Sequence, residues 1–330
     1  MIHFSRLLKK IALLFSCLFS CSPLACVEED NFDVNRGQKI VITGANGWIG
    51  YNAYKALKDY QLIMVDHKIG NDSTNRFGIE NVDQTAVVNL QNKIIKIDLA
   101  TNLGSMEFEK LLAVEKPDCV LHLAAILENQ HIGEIKKNDI ITANVLDVCA
   151  KMQIKLIAAS SIMVMFGAAV RNQAIKEILF GNTQERPAYQ LSVDDEFENS
   201  EEAISQFGTE KNEQYLGYIK TKEYLENYAK KLVEENYNRT IIVVRFGWTG
   251  IKNPYELEKN NRLKGSTFYL AQEDLQAFLV RAVQVVLANK ITGFKKYVVV
   301  SEHPQRWVTM SNAKEDLNWQ PIINIKEKYY

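Results

Sequence analysis

Tyr218 and Lys222 stand four positions apart in a stretch with helical periodicity, so their side chains share one face and can act on the same atoms. A phenol with its ordinary pKa near about 10 is a poor base at neutrality, and an adjacent ammonium favours the phenolate. Ser160 ends the apolar run 155–160 and Ser161 follows it, where the crevice of a parallel sheet would open. A serine hydroxyl there can bond a reacting oxygen and turn it toward Tyr218. Ser161 is the expected catalytic member, and Ser160 is expected to satisfy backbone. Arg245 ends the apolar run 241–245, where a guanidinium can clamp a carboxylate in bidentate fashion or serve packing. Such a set can take a proton from a hydroxyl while stabilising charge on its oxygen.

A second constellation lies upstream. Gly44-Ala45-Asn46-Gly47-Trp48-Ile49-Gly50 follows a β-branched run and opens an apolar-periodic stretch. Glycines allow the tight turn and the approach of backbone to a pyrophosphate, whose charge the free N–H groups at the helix start receive. Asp66, 16 residues after Gly50, ends the next strand-like run. Its carboxylate can accept the ribose hydroxyls of NAD and would repel the extra phosphate of NADP, a repulsion that Lys68 softens. NAD is the expected cofactor and NADP the less favoured. Lys222, beside Tyr218, can hold the nicotinamide ribose. Asp98 and Leu99 follow a third run, where a side-chain oxygen can reach the adenine edge, and Leu123, Ala124 and Ala125 end a fourth with small side chains that leave room for the cofactor. His67, His122, His131 and His303 have no zinc-like spacing, and no metal is expected.

The elements that must position these groups alternate. Strand-like runs at 39–43, 61–66, 94–98, 119–125, 155–160 and 241–245 are separated by helical stretches at 48–57, 108–115, 135–152 and 218–235. Continuous apolar strands between helices predict an α/β fold with a Rossmann-type, doubly wound parallel sheet. Residues 39–245 would form the NAD-binding domain, with an excursion at 168–216 expected to be solvated because it carries Asp194, Asp195, Glu196, Glu198, Glu201 and Glu202. Residues 246–330, with a helix at 273–287 and a strand at 297–300, would form a smaller substrate-binding lobe interleaved with the first. Trp248 is expected either in the core or over a sugar face.

The ends and the composition add further expectations. Residues 1–26 carry a basic start followed by an apolar run shorter than the about 20 residues of a spanning helix. They read as a secretory or lipoprotein-like leader, with Cys21 and Cys26 as candidate lipidation sites and cleavage, a retained anchor or a spurious upstream start as alternatives. Residues 27–38 read as a tether. Export or membrane anchoring through this leader conflicts with a cofactor pool normally found inside the cell. Cys119 and Cys149 sit in apolar settings as inert thiols. The 330 residues carry 39 basic and 40 acidic side chains, a net charge of -1 that supplies no field for nucleic acid. A small-molecule partner is expected, and the helices at 135–152 and 218–235 could form the interface of a homodimer.

Taken in order along the chain, the glycine turn, Asp98-Leu99, the serine pair and the Tyr-x-x-x-Lys pair resemble the extended short-chain dehydrogenase/reductase family, also called the NAD-dependent epimerase/dehydratase family, over residues 39–321. The resemblance implies Ser161, Tyr218 and Lys222 as the catalytic triad and Asn138 as the asparagine that helps set the lysine through a water. Ile141 stands where that family often has glycine, and Gly167 comes one residue late in the serine loop. Within the family, Tyr269-Leu270-Ala271-Gln272-Glu273-Asp274-Leu275, Ser311-Asn312-Ala313 and Asn318-Trp319-Gln320-Pro321 look most like uronate dehydrogenases. That likeness implies oxidation of a hexuronate at C1 to an aldarolactone, with Arg245 binding the sugar carboxylate. A nucleotide-sugar epimerase or dehydratase is the alternative, the dehydratase disfavoured by Ile162 where an acid is expected. A membrane-tethered protein without enzymatic activity is the third reading.

Overall fold

The computed structural model describes residues 37–68, 89–90, 93–181, 183, 185–195, 200–205, 212–251, 253–258 and 263–329. The leader, and the tether up to residue 36, lie outside them.

Seven strands form one sheet: β1 (Lys39–Thr43), β2 (Gln61–Asp66), β3 (Ile94–Lys96), β4 (Cys119–His122), β5 (Lys155–Ser161), β6 (Thr240–Phe246) and β7 (Gly293–Val299). Their spatial order is β3-β2-β1-β4-β5-β6-β7, and every pairing is parallel. The expected Rossmann-type fold is the one that forms. The reason is visible in residues 40–43 of β1 and in β4, where successive residues pointing to opposite faces are all buried; only a sheet covered on both sides can satisfy such a run.

The covering helices are α1 (Trp48–Ala56), α2 (Asn102–Glu115), α3 (Lys137–Met152), α4 (Phe166–Arg171), α5 (Gln173–Phe180), α6 (Asn212–Glu235) and α7 (Gln272–Leu287). One face packs Val41, Val120 and Val243 against Phe108 of α2, Leu146 of α3 and Leu225 of α6. On the same chain α1 and α7 pack together, and Gln276 Nε2 donates to Asn52 Oδ1 at 2.8 Å. The segment after β6 thus adds a strand and a helix to the main layers. Its remainder builds a small cluster of Tyr269, Ala271 and Ile325.

The excursion departs from expectation. Ile175, Ile178 and Leu179 of α5 are buried at helical spacing, and Leu179 O accepts from Lys264 N at 2.9 Å. Leu191 N donates to Trp307 O at 2.9 Å, and Leu191 O accepts from Thr309 N at 2.8 Å. Acidic composition concealed an apolar stripe that packs on residues 263–309. Glu196 and Glu198 lie outside the described residues; Glu201 is exposed and 3.2 Å from Lys220.

Phe278 of α7 is fully buried and meets Phe246 and Trp319 edge to face. Phe278→Ala should lower the unfolding free energy by about 3–5 kcal/mol, read from urea denaturation, because α7 is core to the sheet and not an appendage.

Candidate active site

The parallel pairing brings the C-terminal ends of β1, β2, β4, β5 and β6 to one edge, and the sequence-predicted residues gather there. After β1 the chain turns through Gly44, whose φ of +69° suits glycine, and a Cβ at that position would lie 2.5 Å from Ala124 N. A Cβ on Gly50 would lie 2.4 Å from Gly44 O, so α1 could not come so close to the turn. Gly47 is different: its Cβ would meet only Gly44 O, at 3.2 Å, leaving the front of the turn open. No side chain caps the start of α1, and its first N–H groups face that opening. Asp66 is buried beside the turn, with Oδ2 accepting from Asn46 N at 2.9 Å and Oδ1 from Lys68 N at 3.1 Å. This cradle fits the pyrophosphate and ribose of a dinucleotide. Trp48 stacks on Tyr51 and donates from Nε1 to Thr249 Oγ1 at 3.2 Å; Ile49 belongs to the first turn of the same helix.

Asp98 is exposed, and its Oδ1 already accepts from Ala100 N at 3.0 Å as a turn cap before α2. Leu99 is buried, and Leu123, Ala124 and Ala125 are half-buried along the edge. Asn138 spends both ends of its amide on the backbone of Ile126, each at 2.8 Å, and reaches Thr221 Oγ1 at 3.5 Å. It thereby fixes the chain after β4 and touches the turn that precedes Lys222.

Tyr218, Lys222 and Ser161 are brought together by α6 crossing the end of β5. Lys222 Nζ donates to Ala159 O at 2.8 Å, two residues from Ser161, and lies 5.5 Å from the centre of the Tyr218 ring. Ser161 Oγ accepts from Met163 N at 3.2 Å, which caps the turn Ile162–Met165 and leaves its hydroxyl proton free to donate. Burial pulls Lys222 down to about 8, against the opposing pull of Glu226 and Glu128. Burial also pushes the Tyr218 phenol up, with Glu128 adding to it. The expected lowering of Tyr218 by its lysine is therefore reversed, because desolvation of the phenolate outweighs the neighbouring cation.

Two other expectations are corrected. Ser160 does not satisfy backbone; its Oγ donates to Glu226 Oε1 at 2.7 Å. Arg245 is not presented as a substrate clamp. It is fully buried, with Nε donating to Glu226 Oε1 at 2.8 Å, Nη2 to Glu226 Oε2 at 2.6 Å and Nη1 to Val193 O at 3.0 Å. A carboxylate of the chain itself occupies the fork. Sequence reasoning missed Glu226, although its place four residues after Lys222 puts it on the same helical face. Trp248 is half-buried against Gly265 and Phe268.

Residues 40–193 match the model of the NAD dependent epimerase/dehydratase family. No curated protein sequence matches the chain. Solved structures that share the fold include uronate dehydrogenase from Agrobacterium tumefaciens, 17% identical with a TM-score of 0.58 over 88% of this chain and 87% of that one. Glucuronic acid dehydrogenase from Chromohalobacter salexigens is 14% identical, with a TM-score of 0.56 over 89% and 90%. UDP-glucose 4-epimerase from Bifidobacterium longum, in complex with NAD+ and UDP, is 15% identical, with a TM-score of 0.57 over 88% and 95%. At such identities the likeness is one of fold.

Arg245→Met should cost about 3–5 kcal/mol in unfolding free energy, since it strands the buried Glu226 carboxylate. The double variant Arg245→Met/Glu226→Leu should recover most of that loss in the same denaturation experiment.

Proposed function

We propose, from the premise that residues 40–193 form a domain of the NAD dependent epimerase/dehydratase family, that the chain is an NAD-dependent oxidoreductase acting on a hydroxyl-bearing carbon of a sugar or sugar acid. The observation that carries this reading is the anchoring of Lys222 on Ala159 O, which sets the Tyr218 helix against the strand end that bears Ser161.

NAD, when bound, supplies a hydride acceptor. The residues that would hold it are those of the turn from Gly44 to Gly50, with Asp66 at the adenine ribose and Lys222 at the other. Ser161 donates its free hydroxyl proton to the reacting oxygen and fixes its direction. Tyr218 exchanges the proton of that oxygen at Oη. Its buried phenol keeps its proton at neutral pH, so alone it is poised as the donor in the reductive direction; taking a proton in the oxidative direction requires positive charge close by, and Lys222 lies 5.5 Å from its ring centre.

The finer reading is oxidation of a hexuronate at C1 to an aldarolactone. It rests on the stretches at 269–275, 311–313 and 318–321 that resemble uronate dehydrogenases, and not on Arg245, whose fork is occupied. A spectrophotometric screen of uronic acids and nucleotide sugars, with NAD and NADP supplied separately, tests it. Net NADH formation with galacturonate or glucuronate supports the reading. Turnover of a nucleotide sugar without net cofactor reduction replaces it with epimerisation.

Tyr218→Phe should reduce turnover of the identified substrate by about 10²–10⁴-fold while NAD affinity stays nearly unchanged, measured by steady-state kinetics and calorimetry. Asp66→Asn should weaken NAD binding by about 1.5–3 kcal/mol and narrow the preference over NADP, since an amide neither accepts both hydroxyls as strongly nor repels a phosphate.

A further inference from the structure

A layer of buried polar side chains lies between the sheet edge and α6. Val41 and Val120 pack in the core on the α6 side, so alternation along each strand puts Thr43 and His122 on that same face. The two are register partners, and His122 in turn pairs with Ala158, the residue before the one that anchors Lys222. Thr43 Oγ1 lies 2.8 Å from His122 Nδ1. The other ring nitrogen, Nε2, is buried and has no hydrogen-bond partner among the described residues. His122 is 1% exposed and Lys222 4%.

Lys222 presents the complementary deficit. Its ammonium carries three donors, and among the described residues one acceptor is bonded to it, Ala159 O. A cation with donors to spare and an imidazole nitrogen without a partner share one desolvated layer, where each unmet group is costly. No direct hydrogen bond joins them among the described residues, while Lys222 is near enough to lower the His122 imidazole, and a single bridging water can serve both.

We propose that one buried water bridges Lys222 Nζ and His122 Nε2, making His122 a positioning residue that holds the lysine in its charged form at the edge of β5. The water accepts from the ammonium and donates to Nε2, so His122 carries its proton on Nδ1 and gives it to Thr43 Oγ1. That oxygen has a second lone pair for Ala124 N, at 3.4 Å. His122 remains neutral throughout, pushed down to about 3 by burial and then by Lys222. The other groups around Lys222 are Tyr218 and Glu226 on its own helix, Glu128 after β4 and Arg245 on β6. The inference deepens the proposed function and rests on it for its catalytic meaning.

The test follows the Lys222 ammonium by NMR in the full, cofactor-free chain labelled at lysine, across a pH titration. In His122→Leu the Lys222 midpoint should fall by about one pH unit, a tenfold loss in its protonation constant. In His122→Gln, whose amide can hold the same water, most of the fall should be recovered. An unchanged midpoint in folded His122→Leu, or equal falls in both variants as a packing defect would give, overturns the proposal. Should His122→Leu not fold, imidazole nitrogen shifts of the unaltered protein decide it: the proton on Nδ1 is expected, and the proton on Nε2 refutes the bridge. Neither readout involves substrate oxidation, so failure here leaves the proposed reaction standing, and failure of that reaction leaves the midpoint result standing.

Discussion

The buried pair of Glu226 and Arg245 constrains everything around it. Two charges withdrawn from water stay together only when every lone pair and every N–H finds a partner, and here the carboxylate takes two bonds from the guanidinium and a third from Ser160, while the guanidinium gives another to Val193 O. Four separate parts of the chain meet at that point: the end of β5, the end of β6, the helix α6 and the segment before residue 195. Removing any one of them leaves an unpaired charge or dipole in an apolar surround. The consequence for chemistry is rotational. Positions 218, 222 and 226 advance by only about 40° per step around a helix of 3.6 residues per turn, so fixing Glu226 against the sheet also turns Tyr218 and Lys222 toward it.

This arrangement explains which parts of the molecule were readable from its residues. Strands β1, β4, β5 and β6 are continuous apolar runs because both faces are covered, and that pattern survives without any knowledge of neighbours. The glycine turn was equally plain, since Gly44 and Gly50 answer to local geometry and to backbone atoms close by. Tyr218 and Lys222 were visible as a spaced pair. The partners of buried polar groups were not, because they are set by which strands become neighbours. Arg245 at a strand end looks like a clamp until β6 lies beside β5 and α6 crosses both, at which point Glu226 fills it. The excursion misled for a related reason: its cluster of acids between residues 194 and 202 drew attention from its apolar positions, yet Ile175, Ile178 and Leu179 suffice to dock α5, and Leu191 pairs with the backbone of Trp307 and Thr309.

Burial also sets the electrostatic character of the site. A tyrosine next to a lysine suggests an acidified phenol, but both groups here are desolvated, and desolvation disfavours each charged form. Lys222 loses part of its hold on its proton and Tyr218 tightens its own. The carboxylates of Glu226 and Glu128 act in the direction that keeps Lys222 charged, and Glu128 also in the direction that keeps Tyr218 neutral. The pair therefore rests with its protons on, a state from which the phenol readily gives a proton and takes one only when further positive charge enters the site.

The engagement of Arg245 bears on how an acidic sugar would be recognised. A bidentate guanidinium already closed on a carboxylate has no free edge to offer a second one, and prising it away would uncover Glu226 and loosen Ser160, the neighbour of the proposed catalytic serine. Binding energy spent on that exchange would disturb the strand end that must stay rigid for proton transfer, the opposite of what a positioned site requires. Recognition of a uronate carboxylate thus falls to donors outside the end of β6, and a neutral sugar meets no such demand.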